Sequence, residues 1–121
     1  EGPRSATPRA NLGCTWHRPP APRTAIAPPR LLVLDAAWKL DQGGPLNALS
    51  EVAAIKVAVP NMAQQVIDFA IQIHGGAGLS DDFPLAGAFS AARALRLADG
   101  PDEVHRGMVA RLELGKYGAA R

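Results

Sequence analysis

Residues 46–73 read LNALSEVAAIKVAVPNMAQQVIDFAIQI, and the spacing within them decides the fold. Leu49, Val52, Ala53, Lys56 and Val59, then Ala63, Val66, Ile67, Ala70 and Ile71, recur at helical intervals. That register continues across Pro60, which removes the bond to the Lys56 carbonyl and predicts a bend there. One long kinked helix over 46–73 follows, ended by Gly75-Gly76. Upstream, Leu31, Leu34 and Trp38 fall at i, i+3, i+7 with Asp35 and Lys39 between them, so a helix is expected from 30 to 41. Gly43-Gly44-Pro45 stops it. Downstream, Pro84 suits the first turn of a third helix whose face is Leu85, Ala88, Phe89, Ala92 and Leu95. Pro101 opens a fourth, with Asp102 and Glu103 where the helix dipole favours anions. Val104, Met108 and Leu112 line its inner face, and Gly115 to Gly118 end it. No stretch alternates with period two. The expected fold is all-α, a partial up-down bundle of about four helices over residues 30–121.

The first 29 residues read differently. Residues 1–30 hold seven of the eleven prolines and five arginines against Glu1 alone. Proline fixes φ and lacks a donor, so this density leaves no room for a helix interior, and a disordered Pro/Arg-rich segment is expected over 1–29. The whole chain of 121 residues carries a net charge of +2, and the leading segment holds all of that excess. A nucleic-acid binder would need a basic face on the folded part, which is slightly acidic instead, and the leading segment has no lysine and one tryptophan. No nucleic-acid partner is therefore expected. No apolar run approaches the ~20 residues of a membrane span. A single cysteine, Cys14, excludes an internal disulfide and a thiolate zinc cage, and Cys14 with His17 supplies too few ligands for a metal.

Two loops hold residues that helix packing does not explain. In Gln72-Ile73-His74-Gly75-Gly76-Ala77-Gly78, three glycines in four positions permit tight turning and close approach of a ligand. They follow a helix rather than a strand, so neither a P-loop nor a dinucleotide fingerprint applies. Taken alone, the loop reads first as a plain helix stop, and Gln72 and His74 at its edge keep a ligand role open. In Ala98-Asp99-Gly100-Pro101-Asp102-Glu103-Val104-His105, Asp99 reads as a helix N-cap or as a catalytic carboxylate. His105 reads as a residue on the helix's polar side.

Several motifs then converge. Ser50-Glu51-Val52-Ala53-Ala54-Ile55-Lys56-Val57, Ala70-Ile71-Gln72-Ile73-His74-Gly75-Gly76-Ala77-Gly78, Asp82-Phe83-Pro84-Leu85, Ala92-Arg93, and Leu97 through Arg106 keep one order and spacing. Together they resemble the carboxyl-terminal helical domain of acyl-CoA dehydrogenases, over residues 30–117. The nearest branch carries Ala-Asp-Gly-Pro-Asp-Glu-Val-His where most members have an aromatic residue and Glu-Gly-Thr.

The resemblance implies FAD as cofactor, an acyl-CoA substrate and α,β-dehydrogenation. In that chemistry a carboxylate takes the pro-R α-proton while the β-hydrogen leaves as hydride. Asp99 falls at the base position, one methylene shorter than the usual Glu, and Gly100 lies beside the thioester. Gln72, Ile73, His74, Gly75 and Gly76 fall on the turn that approaches the FAD of a neighbouring subunit. Pro101, Asp102 and Glu103 fall on flavin-contacting positions, with Pro101 replacing a Thr that can donate to the cofactor. The resemblance further implies a homo-oligomer, a tetramer in the family, in the cytoplasm or, in a eukaryote, the mitochondrion. The family's amino-terminal helical and middle β-domains have no counterpart here, nor has its Arg-rich first helix. The isolated chain is therefore expected not to turn over acyl-CoA. A helical oligomerisation module derived from the family, without catalysis, is the alternative.

Overall fold

The computed structural model describes residues 22–118. Four helices follow in order: α1 (Pro22–Asn47), α2 (Leu49–His74), α3 (Leu85–Ala94) and α4 (Asp102–Gly115), with a 3₁₀ turn at Gly75–Leu79 between α2 and α3. The described residues contain no strand, as the absence of period-two patterning requires. α2 is the spine, and α1, α3, α4 and the 3₁₀ turn all pack against it. It runs as one helix through Pro60, which is buried.

One boundary differs from expectation. Helix α1 begins at Pro22 rather than near residue 30, with Pro28 and Pro29 inside it. Proline's fixed φ is itself helical, and the cost it brings to a helix interior, a lost donor and a ring crowding the carbonyl four residues back, falls here on the second turn of α1. That turn is largely exposed, at Arg23, Ile26, Ala27 and Pro28. The remainder of the leading segment, with Cys14, Trp16 and His17, lies outside the described residues. At the other end of α1, Gly44 (φ 72°) breaks the helical path as expected, and one more turn runs on to Asn47. The Asn47 amide donates to the Lys39 carbonyl across this break, at 2.8 Å.

The interior is thin. Its buried apolar residues are Ala36, Ala48, Ala53 and Ala92, and no large side chain among the described residues is fully buried. Leu31, Leu34 and Trp38, the stripe that placed α1, are 67%, 56% and 60% exposed. Small residues at the contacts let the helices approach closely, while larger apolar side chains such as Ile55, Ile71, Phe89 and Leu112 are only half-buried. Polar links supplement the packing. Lys39 joins α1 to α2 through Glu51 at 2.6 Å and also meets Asp35 at 3.1 Å. These carboxylates hold the Lys39 ammonium above its usual value, and the Lys39 hydrogen bond holds Glu51 below its own.

Candidate active site

The segment between α3 and α4 carries the base candidate. After Ala94 the chain runs on in turns, with Leu95 and Ala98 amides bonding back to Ala91 and Ala94 carbonyls. Asp99 then adopts φ 52° and Gly100 φ 107°, which reverses the chain into α4. Gly100 is required twice over, because a Cβ there would lie 3.1 Å from the His105 ring nitrogen. Asp99 does not cap α4. Pro101 occupies that position, extended at φ −67°, ψ 162°. Freed from capping, Asp99 is exposed and lines a cavity of about 470 Å³ with Val33, Val52, Ile55, Leu95 and His105. The walls are almost wholly apolar, and Lys56 is their only cation.

Behind this cavity lies a buried ionic knot that the sequence did not announce. Asp102 is 4% exposed. Its Oδ2 accepts from Arg96 Nε at 2.8 Å and from Asn61 Nδ2 at 3.0 Å, and the Arg96 Nη2 pairs with it at 2.8 Å. Arg96 also donates to Gln64 Oε1 at 2.9 Å, so the knot ties α2 to both ends of the α3–α4 segment. The Asn61 amide, with Arg96 beside it, holds the Asp102 carboxyl below the usual range against the opposing effect of burial. Two buried atoms, Asp102 Oδ1 and His105 Nδ1, have no hydrogen-bond partner among the described residues. The inner face of α4 thus begins with Asp102 and His105, and Val104, expected inside, is exposed. His105 correspondingly lies half-buried rather than on a solvated polar side. Asn61, Gln64 and Arg96 were missed because hydrophobic periodicity assigns polar residues outward. A lysine in the apolar register, Lys56, was the one legible signal.

The glycine turn is a separate place. The Gly75 N–H closes α2 onto the Gln72 and Ile71 carbonyls, with Gly75 at φ 62°. Gly78 is buried, and a Cβ on it would stand 2.9 Å from the Ile71 oxygen. His74 is turned inward, its Nδ1 2.8 Å from the Ala70 carbonyl and its ring tilted against Phe83 at 4.7 Å. Gln72, Gly75 and Gly76 are exposed, and nothing lies within 4 Å of where a Cβ on either glycine would be. Of the second group, Pro101 and Glu103 face outward and Asp102 faces inward.

The two groups do not meet within one chain. Lys56 reaches the Ala98 carbonyl beside Asp99, and Gln72 lies sixteen residues further along α2, about 24 Å at about 1.5 Å per residue.

The described residues form an all-α domain with an aspartate at the edge of an apolar cavity and a glycine turn elsewhere along the same long helix. Residues 23–114 match the family profile described as the acyl-CoA dehydrogenase C-terminal domain, and the chain belongs to that family. That match includes the proline-containing start of α1. A solved chain from Mycobacterium abscessus, assigned to the acyl-CoA dehydrogenases, superposes with a TM-score of 0.87 at 65% identity, over 95% of this chain and 28% of that one. Mouse acyl-CoA dehydrogenase family member 11 is 52% identical over 92 residues, 76% of this chain and 12% of that protein. The Mycobacterium tuberculosis protein named as acyl-CoA dehydrogenase FadE2 is 47% identical over 109 residues, 90% of this chain and 27% of that protein. This chain therefore spans between about an eighth and about a quarter of the lengths of these relatives.

Proposed function

We propose that this chain supplies the catalytic base and part of the flavin contact of an FAD-dependent acyl-CoA dehydrogenase. The observation that carries this reading is Asp99, released from capping and set at the edge of an apolar cavity of about 470 Å³. An apolar wall accommodates an acyl chain and keeps water from the reacting carbons. Asp99 takes the α-proton of the thioester while the β-hydrogen departs as hydride, and the electron pair left by the proton becomes the α,β double bond. FAD, when bound, supplies the hydride acceptor. Gln72, Gly75 and Gly76 would meet the cofactor through amide and backbone, and Pro101 and Glu103 from the other group.

Separation of the two groups by about 24 Å along α2 favours a shared arrangement in which each contacts a different cofactor of a homo-oligomer. The cavity is open, so residues 22–118 alone do not enclose a substrate, and turnover requires walls from elsewhere. The exposed Leu31, Leu34 and Trp38 would also suit a non-catalytic assembly module, but such a module has no use for a carboxylate at a cavity edge.

The test grafts residues 22–118 in place of the matching segment of the Mycobacterium abscessus protein and measures acyl-CoA oxidation with an electron acceptor. The graft is expected to bind FAD and turn over. Asp99→Asn should reduce kcat by about 100- to 10,000-fold, the range for loss of a positioned general base. A flavin-loaded graft without turnover, or full turnover in Asp99→Asn, refutes the assignment.

A further inference from the structure

Asp99 is the one described residue other than glycine with positive φ, a conformation that persists only where the surroundings hold it. Two side chains from different helices do so. From α2, Lys56 Nζ donates to the Leu95 carbonyl at 2.6 Å and to the Ala98 carbonyl at 2.7 Å. An ammonium suits that place, because the last carbonyls of a helix lack backbone partners and carry partial negative charge. From α4, His105 Nε2 lies 3.2 Å from the Asp99 carbonyl, its ring over Gly100. The peptide groups on both sides of Asp99 are thus pinned.

Packing does not account for Lys56. It is half-buried in the apolar register of α2, between Val52 and Val59, where an aliphatic side chain would fill the same wall. We propose that Lys56 is a positioning residue for Asp99: by holding the Leu95 and Ala98 carbonyls it fixes the backbone from which the carboxylate reaches the cavity, with His105 as the second pin. The inference rests on the reading of Asp99 as base. Proton abstraction requires the reacting atoms about 3–3.5 Å apart and aligned, and a displacement of about 1 Å costs about 100-fold in rate.

The experiment uses the grafted enzyme. Lys56→Met, which keeps the aliphatic stem and removes the ammonium, is expected to lower kcat about 100-fold. KM, flavin content and Tm should stay near those of the parent graft. The kinetic isotope effect with α-deuterated acyl-CoA should rise, because α-proton abstraction becomes more rate-limiting. Lys56→Arg, still a carbonyl donor, should recover most of the loss. A parallel fall of flavin content, Tm and kcat in Lys56→Met would show a purely structural role and overturn the proposal. Normal kcat in Lys56→Met beside an inactive Asp99→Asn overturns the positioning role and leaves the base intact, whereas full turnover in Asp99→Asn overturns the base itself. Should Lys56→Met fail to fold, His105→Phe keeps a ring over Gly100 and loses the bond to Asp99. Reduced kcat at unchanged flavin content supports the two-sided hold, and full kcat overturns it.

Discussion

Two glycines in one turn should respond oppositely to the same substitution. At Gly78 a Cβ would stand 2.9 Å from the Ile71 oxygen, 3.0 Å from the Ile71 Cα and 3.1 Å from the His74 Cβ. The two nearest atoms are backbone within α2, so no rotamer change relieves the clash. Forcing a methyl into such a site costs about 2 kcal/mol. For a domain of this size that corresponds to about 10 °C in Tm. At Gly76 nothing lies within 4 Å of the same position and φ is not positive. Gly76→Ala should therefore be neutral or stabilise by about 0.4–1 kcal/mol, through the lower entropy of the unfolded chain. Thermal melts followed by circular dichroism measure both. The ligand reading adds a second axis. If the open Gly76 backbone receives FAD, Gly76→Ala in the grafted enzyme keeps its melting temperature and loses flavin absorbance. A Gly78→Ala variant that melts with the parent refutes the packing argument. A Gly76→Ala graft with full flavin content refutes the ligand role of the turn.

Acid should loosen the bundle at two identified places. Asp102 and Glu51 both hold folded pKa values below their ordinary ones, so their stabilisation is present above the unfolded values, about 4, and is lost as pH falls through the folded values. Asp102→Asn should lower Tm at neutral pH and flatten the acid limb, and an unchanged acid limb would contradict the ionic-knot account. On the exposed stripe, Leu34→Gln with Trp38→Gln should leave Tm nearly unchanged while reducing self-association in sedimentation velocity, because both side chains are more than half exposed. A loss of about 2–5 kcal/mol, the range for truncating core side chains, would show that they are buried in solution.

What the sequence disclosed follows from which physical signals are local. The long α2 register, the glycine break in α1 and the proline starts of α3 and α4 all depend on neighbours within a turn or two, and all appear where expected. The start of α1 was misplaced because proline was weighed as a breaker. Its φ is helical, and here its rings fall in the largely exposed second turn of α1. Asp99 shows the limit most clearly. Two residues ahead of a helix expected to start at Pro101, an aspartate reads from the local sequence as either a cap or a catalytic carboxylate. The reversal at Asp99 and Gly100 instead leaves Asp99 exposed at the edge of the cavity, with Pro101 in the capping position. Asn61, Gln64, Arg96 and Asp102 were illegible for the complementary reason. Each is polar and would be placed outward alone, and Asp102 and Gln64 become buried where Asn61 and Arg96 meet them across 41 residues of sequence. Lys56 stands between these cases. Its position in an apolar register was visible, but its meaning depended on two carbonyls about forty residues away. Here the charged residue that interrupts an otherwise apolar helical face meets a distant run of backbone carbonyls, and that run leads directly into Asp99, the proposed base.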